Sequence, residues 1–276
     1  MAATMLYETH SHTPLCKHAK GEPEEYADEA RRRGLGGLIV TCHNPMPDGY
    51  ASDTRMSLDE WGEYVELVDR ARQACAGTID VRLGLEADFF PGYESWLEKQ
   101  ITSADLHYVL GSVHPSVYEY KQRYWQGDSA GFQRLYFAML ADAAETRLFD
   151  CLSHPDIVKN DPELNWEPGA IMADVCDALD RIAETGIAME LNTSGAYKVS
   201  EEMNPFPEML VEMRKREIPV VIGADAHRPE RVGDGYEAAL DLLKECGYTT
   251  VSFFLERERR DIDIDSARKS LSPSEA

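Results

Sequence analysis

The chain carries a His-Ser-His triplet near its start, His10-Ser11-His12, directly behind the short apolar run Met5-Leu6-Tyr7. Side chains alternate along a strand with a period of two, so both imidazoles would lie on the same face. Two neutral imidazoles side by side suit a divalent metal such as zinc or iron. Single histidines at strand ends are usually structural, so the interpretation of this pair depends on the other histidines.

Seven of the eight histidines stand at or just beyond the end of a predicted strand. They are His10, His12, His18, His43, His114, His154 and His227. Only His107 falls inside a predicted strand, and we expect it to be a core or hydrogen-bonded residue. Seven histidines at strand ends are too many for all of them to be structural residues placed there by chance. The pattern therefore predicts one shared metal site.

Two carboxylates complete the candidate ligand set: Glu86 ends the third predicted strand, and Asp225 precedes His227 by two residues. Catalytic sites usually offer about three protein ligands per metal and keep one position open for water. Nine side chains with one bridging carboxylate therefore suit three divalent ions better than two. Zinc, iron and manganese all accept these ligand types.

The net charge of the chain indicates which classes of molecule the protein can bind. The formal net charge is −22, with 50 acidic and 28 basic residues. Such a surface repels nucleic acid and anionic membranes. Three divalent ions beside two carboxylates would still leave the site at about +4, which attracts a phosphate dianion in direct contact. The prediction is a small phosphorylated metabolite as substrate, with neither nucleic acid nor membrane as partner.

The elements that position these residues alternate regularly. The polar strand ends recur every 28 to 43 residues, which is the length of one βα unit and implies a parallel α/β sheet. Seven or eight such units close into a barrel whose chemistry gathers at the C-terminal strand ends. Helices are predicted at about residues 23–33, 57–76, 93–101, 130–146, 168–185, 207–216 and 236–246. A last short strand is expected over residues 249–254.

The chain is expected to be one domain, residues 1–276, with a charged and partly frayed tail from Glu256 to Ala276. It has no apolar stretch long enough for a membrane span and no signal-peptide pattern, which predicts a cytoplasmic protein, as a monomer or small homo-oligomer. The six cysteines form no CxxC pair, so reduced thiols are expected. Cys16 and Cys42 lie near histidines and are either soft metal ligands or small buried hydrophobes.

The order of these motifs resembles the PHP (polymerase and histidinol phosphatase) superfamily over nearly the whole chain. The matching segments are His10-x-His12, His18, His43, Gly84-Leu85-Glu86, Gly111-Ser112-Val113-His114, Ser153-His154 and Gly223-Ala224-Asp225-Ala226-His227. His12-Thr13-Pro14 and Glu190-Leu191-Asn192-Thr193-Ser194-Gly195 are similar to the monomeric histidinol-phosphatase branch. The resemblance implies a distorted (β/α)7 TIM-like barrel with a trinuclear metal site.

The resemblance also implies roles for the nine ligands. They would divide into His10, His12, Glu86 and Asp225 for the first metal, Glu86, His114 and His154 for the second, and His18, His43 and His227 for the third. A hydroxide bridging the first two metals would attack phosphorus. Asp225 or His227 would be the catalytic residue that passes a proton to the leaving alkoxide. The implied activity is that of a phosphoric monoester hydrolase, with L-histidinol phosphate of histidine biosynthesis as the expected substrate.

The phosphate-binding residues are where the chain departs from that branch. Lys159 is the candidate after the fifth strand, and Tyr197-Lys198 stands where an Arg-Lys pair is expected. Lysine acts on phosphate as a point charge and lacks the guanidinium fork. Arg55 and Arg123 are further candidates from long loops, each with a solvated surface charge as the alternative. Asn192 either binds substrate or holds its turn.

Three other functions are considered. A related phosphoesterase could act on a nucleotide or a sugar phosphate with the same chemistry. An amidohydrolase usually needs a carboxylated lysine on the fourth strand, and residues 106–113 contain no lysine. A non-catalytic metal-binding module would often have lost ligands, whereas this chain keeps the full set. The tyrosines and tryptophan after His114 (Tyr118, Tyr120, Tyr124, Trp125) either line the pocket or pack on the barrel rim.

Overall fold

The computed structural model describes residues 5–271 as an α/β fold around one sheet. The strands are β1 (Tyr7–Glu8), β2 (Gly37–Val40), β3 (Asp80–Asp88), β4 (Tyr108–Ser112), β5 (Cys151–Leu152), β6 (Ala188–Asn192), β7 (Val220–Gly223), β8 (Thr250–Leu255) and β9 (Glu258–Asp263). The helices are α1 (Pro23–Arg32), α2 (Trp61–Ala74), α3 (Glu94–Ile101), α4 (Tyr118–Tyr124), α5 (Ser129–Glu145), α6 (Pro168–Thr185), α7 (Pro207–Lys215), α8 (Tyr236–Glu245) and α9 (Ile264–Ser270).

Strands β1 to β8 pair in chain order and in parallel, as the βα alternation predicts. Every residue of β2, β4, β6 and β7 is buried. Burial of this kind is typical of a parallel strand covered on both faces, and it explains why these segments are continuous apolar runs rather than alternating ones.

The sheet closes between its first and seventh strands. Beyond the end of β1, His12 donates its backbone N–H to the carbonyl of Ala226 at 2.9 Å, and Ala226 donates to the carbonyl of His10 at 2.9 Å. Near its start, β7 instead pairs with β8 through Val221 and Ser252. The strand therefore splits between two neighbours, and the expected distorted seven-stranded barrel forms around the C-terminal strand ends.

Local signals set the helix boundaries as expected. The Ser57 and Glu60 side chains form a reciprocal capping box at a single 3₁₀ turn that leads into α2. Gly186 ends α6 in the left-handed conformation, with φ 75°. The segment after His114, for which no helix was predicted, contains the short helix α4 over Tyr118–Tyr124. Tyr120 is buried there, edge-on to Phe132 at 5.4 Å, while Tyr118 is exposed.

The charged tail is ordered over most of its length, contrary to the expectation of fraying. Strand β9 pairs antiparallel with β8, and α9 follows it directly. Ile262 and Ile264 are buried among mainly charged neighbours, and Arg257 forms an ion pair with Asp150. These few apolar anchors were hidden in the sequence by the surrounding charge. Residues 272–276 of the predicted tail lie outside the described residues.

His107 precedes β4 at the opposite end of the barrel from the other histidines, and its Nδ1 accepts a hydrogen bond from the Glu256 backbone N–H. This confirms the hydrogen-bonded role expected for it. Within residues 5–271, no helix has the length and apolar character that crossing a membrane requires.

Candidate metal centre

All nine predicted ligands converge at the C-terminal end of the barrel. The strands deliver them directly: each lies within β3 or in the first residues after β1, β2, β4, β5 or β7, except His18, which follows the short turn Pro14–Cys16. Glu86 is buried at the centre, whereas His18 is exposed at the mouth. Parallel strands thus bring residues 217 positions apart, from His10 to His227, into one cluster.

The first predicted ligand set faces inward as a group. His10 Nε2 lies 3.4 Å from Glu86 Oε2 and 3.6 Å from Asp225 Oδ1. His12 Nε2 lies 3.6 Å and 3.1 Å from the same two oxygens. One ligand atom each from His10, His12 and Glu86 fall within 4.8 Å of one another. These distances are those of side chains arranged around a common point.

The second set meets at the other oxygen of the same carboxylate. Glu86 Oε1 lies 3.1 Å from His154 Nε2 and 3.3 Å from His114 Nε2. Ser112 donates its hydroxyl to this oxygen at 2.7 Å. Glu86 therefore presents one oxygen to each set, which is the geometry that a bridging carboxylate needs.

The third set is less uniform than predicted. The Nε2 atoms of His18 and His227 face each other at 2.8 Å. His43 lies between sets, because its Nδ1 is 2.6 Å from Glu86 Oε2 while a ring nitrogen also groups with His12 and His227. Assigning His43 to the third position alone is therefore not what the geometry favours.

Unpaired polar atoms test whether these residues fit a metal. Buried atoms without a hydrogen-bond partner among residues 5–271 include His10 Nε2, His12 Nδ1, His43 Nδ1 and Glu86 Oε2. His10 donates its Nδ1–H to Glu190 at 2.7 Å, so Nε2 is the atom that faces the two carboxylate oxygens. Burial by itself lowers the pKa of His10, but Glu190 and Glu86 outweigh burial and raise the pKa well above its usual range, so the site favours positive charge here. Acceptor atoms that converge in a buried site need a cation between them, either a proton or a metal ion. The residues present thus fit divalent metal ions.

Electrostatics keep the carboxylates ionised. Burial by itself raises the pKa of Glu86, but His43 and His10 beside it outweigh burial and lower the pKa well below its usual range. Burial, together with the neighbouring His12, lowers the pKa of His227 to about 4. At neutral pH the cluster therefore offers anionic carboxylates and a neutral His227, the protonation states in which both bind metals.

Two acidic residues outside the predicted set orient the histidines. Glu190 bonds His10 through Oε1 and accepts the His154 backbone N–H at 2.8 Å through Oε2. Asp88 accepts from His114 Nδ1. Such partners fix the tautomer of a metal-binding imidazole. A signal for both was present, because Asp88 and Glu190 are carboxylates in apolar strands.

A glycine allows Glu190 to pack beside His10. Gly223 ends β7, and a Cβ atom there would lie 2.1 Å from Glu190 Oε1 and 2.8 Å from His10 Cβ. No side chain fits this position without displacing the ligand and its support. The glycine of the Gly223-Ala224-Asp225 segment thus has a packing role that sequence reasoning did not assign.

An open pocket of about 980 Å³ lies above the cluster. Six candidate ligands reach its wall, and Lys198, Arg228 and Arg231 line it together with Ser194, Glu119 and Tyr118. Lys198 Nζ lies 3.2 Å from Asp225 Oδ2, and Ser194 donates its hydroxyl to the same oxygen at 2.9 Å. Of the predicted basic residues, Lys198 has the placement expected of a phosphate-binding cation.

Lys159 does not fit its predicted role. Its side chain is fully buried, with Nζ 3.0 Å from Asp156 Oδ2 and 2.6 Å from the carbonyl of Met203. It lies outside the pocket lining. The ammonium instead forms a structural ion pair with Asp156. Asp156 also accepts hydrogen bonds from Asn204 and from the backbone N–H of Phe206, so the pair connects several segments of the fold.

Neither arginine candidate has the placement predicted for a phosphate-binding residue. Arg123 lies outside the pocket lining, with its guanidinium 5.2 Å from the Phe90 ring. Arg55 reaches the pocket but is buried, and its fork binds Asp88, with Nη2 3.0 Å from Asp88 Oδ1. Arg55 therefore supports the partner of His114 rather than offering a free fork to phosphate.

Asn192 holds its turn, which was one of its two predicted roles. Its Oδ1 accepts from the Ser194 N–H at 3.0 Å, and its Nδ2 donates to Glu190 at 2.9 Å. Asn192 is buried and absent from the pocket lining. Its amide thus connects the support of His10 to Ser194, which faces Asp225.

The chain matches known proteins along nearly all of its length. It is 40% identical over 260 residues to a protein of Deinococcus radiodurans named probable histidinol-phosphatase. This alignment covers 91% of the present chain and 97% of the relative. It is 24% identical over 264 residues to the histidinol-phosphatase of Bacillus subtilis, with 84% and 97% covered.

Solved structures share the fold. The histidinol phosphate phosphatase of Lactococcus lactis, complexed with zinc, L-histidinol and phosphate, superposes with a TM-score of 0.76 at 19% identity. That match covers 92% of this chain and 98% of the other. The sequence model of the PHP domain matches residues 8–194. Since this match spans more than half of the chain and the Deinococcus relative is 40% identical over 91% of it, the protein belongs to the PHP domain family.

Proposed function

We propose that this protein is a metal-dependent phosphomonoesterase that hydrolyses L-histidinol phosphate. The observation that carries the proposal is the convergence of nine ligating side chains at one end of the barrel, with Glu86 shared between two sets. Relatives named histidinol-phosphatase, which cover nearly the whole chain, support the choice of substrate.

The ligands would hold three divalent ions. The first two would share Glu86, with His10, His12 and Asp225 on one side and His114 and His154 on the other. The third would lie at the mouth with His18 and His227, and His43 would serve the position nearest Glu86 Oε2. When bound, such ions lower the pKa of water and draw negative charge from phosphoryl oxygens.

The chain's own residues bind and orient the ester. Lys198 places a positive charge 3.2 Å from Asp225, where a phosphoryl oxygen would enter the cluster from the pocket. Ser194 offers a hydroxyl beside it. The leaving alkoxide requires a proton. Asp225 and His227 both line the pocket, and either would pass to the alkoxide the proton that the attacking water loses, since neither carries a proton of its own to give at neutral pH.

Phosphate release from a panel of esters tests this function. The panel contains L-histidinol phosphate, AMP and a sugar phosphate, on protein of measured metal content. We expect kcat/KM to be highest for L-histidinol phosphate by at least about tenfold, since each 1.4 kcal/mol of selective binding gives that factor. Preference for the nucleotide or the sugar phosphate would keep the chemistry but reject the substrate.

A further inference from the structure

A cysteine lies among the histidines at the pocket mouth. Cys16 ends the turn Pro14–Cys16 and is fully buried. Its Sγ lies 4.0 Å from His18 Nε2. One ligand atom each from Cys16, His18 and His227 fall within 4.8 Å of one another. Three donors of metal-binding type thus surround one point.

The ring orientations show which atoms face that point. His18 Nδ1 donates to the carbonyl of Cys16 at 2.6 Å, and His227 Nδ1 donates to the carbonyl of Asp225 at 3.0 Å. A neutral imidazole that donates through Nδ1 has only a lone pair at Nε2. The two Nε2 atoms nevertheless face each other at 2.8 Å. At this distance either one ring carries a second proton or a metal cation lies between or beside the two nitrogens.

The second cysteine nearby is engaged differently. Cys42 Sγ accepts hydrogen bonds from Thr13, from the backbone N–H at 3.4 Å and from Oγ1 at 3.2 Å. Its thiol also lies near the carbonyl of Thr13, at 3.7 Å. Cys42 is therefore held by one residue of the loop after β1. One ligand atom each from Cys42, Cys16 and His12 also lie within 4.8 Å of one another. Of the two sulfurs, Cys16 is the one that contacts His18 at the pocket mouth.

We propose that Cys16 is a thiolate ligand of the metal held by His18 and His227, which makes this position a mixed nitrogen and sulfur site. The inference rests on the proposed metal centre. Binding transfers the thiol proton to solvent and forms a metal–sulfur bond. A soft thiolate beside imidazoles selects zinc over manganese and magnesium, which prefer oxygen ligands. This position would then differ in metal preference from the carboxylate-bridged pair.

Cobalt(II) loaded in place of the native metal tests the thiolate directly. The full-length protein should show a near-ultraviolet band for charge transfer from thiolate to cobalt. Cys16→Ser should abolish the band, whereas Cys42→Ser and the remote Cys75→Ser should retain it. A band that survives in Cys16→Ser, or its absence in fully loaded wild-type protein, would overturn the proposal. Loss of the band only in Cys42→Ser would do the same.

Zinc X-ray absorption on the wild-type protein covers the case in which Cys16→Ser does not fold. We expect sulfur scattering at about 2.3 Å, and spectra fitted by nitrogen and oxygen alone would contradict the assignment. Both measurements are independent of substrate. If histidinol phosphate is hydrolysed without any sulfur signal, only the Cys16 inference fails; a sulfur signal without phosphatase activity rejects the proposed function instead.

Discussion

Two lysines, both predicted to bind phosphate, differ in their surroundings. Lys198 stands on the pocket wall, 30% exposed and beside Asp225, while Lys159 is fully buried against Asp156. An ammonium that is already enclosed by its partners cannot reach a ligand in the pocket. The sequence spacing places both residues after the correct strands, but it does not say which way a side chain points.

Substituting each lysine separates these roles. Lys198→Ala should raise the KM for the phosphate ester by about tenfold, the loss expected for one charged hydrogen bond, and Lys198→Arg should restore much of the affinity. Lys159→Met should leave KM unchanged and lower the free energy of unfolding by about 3 kcal/mol, because Asp156 stays buried without its counter-charge. Steady-state kinetics and urea unfolding measure both. A higher KM in Lys159→Met with normal stability would reverse the assignment.

At the scale of elements, one ion pair joins the loop after β2 to the end of β3. The Arg55 fork binds Asp88, which also bonds His114. Burial raises the pKa of Asp88, but Arg55 and His114 outweigh burial and lower it below the ordinary value. A carboxyl whose pKa is lower in the folded protein stabilises the fold at pH above its unfolded pKa and loses this contribution as pH falls.

The stability of chelator-treated protein should therefore decrease steeply as pH falls below about 4, the unfolded pKa of aspartate. Asp88→Asn removes this titration, so its free energy of unfolding should be lower at neutral pH and vary less with pH in the same range. Urea unfolding between about pH 6 and about pH 3 measures both curves. Parallel curves for the two proteins would show that Asp88 does not have a lowered pKa.

The C-terminal hairpin and helix depend on a few apolar contacts. Ile264 begins α9 and is 2% exposed, although most of the residues around it are charged. Truncating a buried isoleucine to alanine typically costs about 2–4 kcal/mol.

Ile264→Ala should therefore lower the free energy of unfolding by about that amount, whereas Arg260→Ala in the exposed part of β9 should change it by less than about 0.5 kcal/mol. Chemical denaturation of full-length proteins tests this. Equal, small effects for the two variants would mean that α9 contributes little to the fold.

At the scale of the whole molecule, periodicity predicted a parallel α/β sheet that closes into a barrel of seven or eight units, and the family resemblance implied the distorted seven-stranded form. The βα alternation predicted the parallel order of eight strands, and polar strand ends predicted where the site lies. The closure between the backbone of His12 and Ala226 could not be predicted, because hydrogen bonds between distant residues have no local signal. Strand β9 was missed because Ile262 is a single apolar residue in a charged segment.

The candidate site, like the fold, was predictable from the sequence only in part. The convergence of the predicted ligands could be expected because all of them except His18 stand at or just beyond a strand end. Glu86, predicted as a bridge, lies between two of the predicted sets. The roles of Asp88 and Glu190 were harder to predict. Each role depends on which imidazole nitrogen of His114 or His10 donates a hydrogen bond to the carboxylate. That information depends on ring orientation, which only the packed barrel determines.

Phosphate release from L-histidinol phosphate before and after metal removal tests the central claim most directly. Protein stripped by a chelator should release no phosphate above background. Activity should return as zinc or manganese is added back, reaching a plateau at about three metal equivalents per chain. Stripped protein that keeps the full rate, or fully loaded protein that releases no phosphate from this ester, would contradict the account.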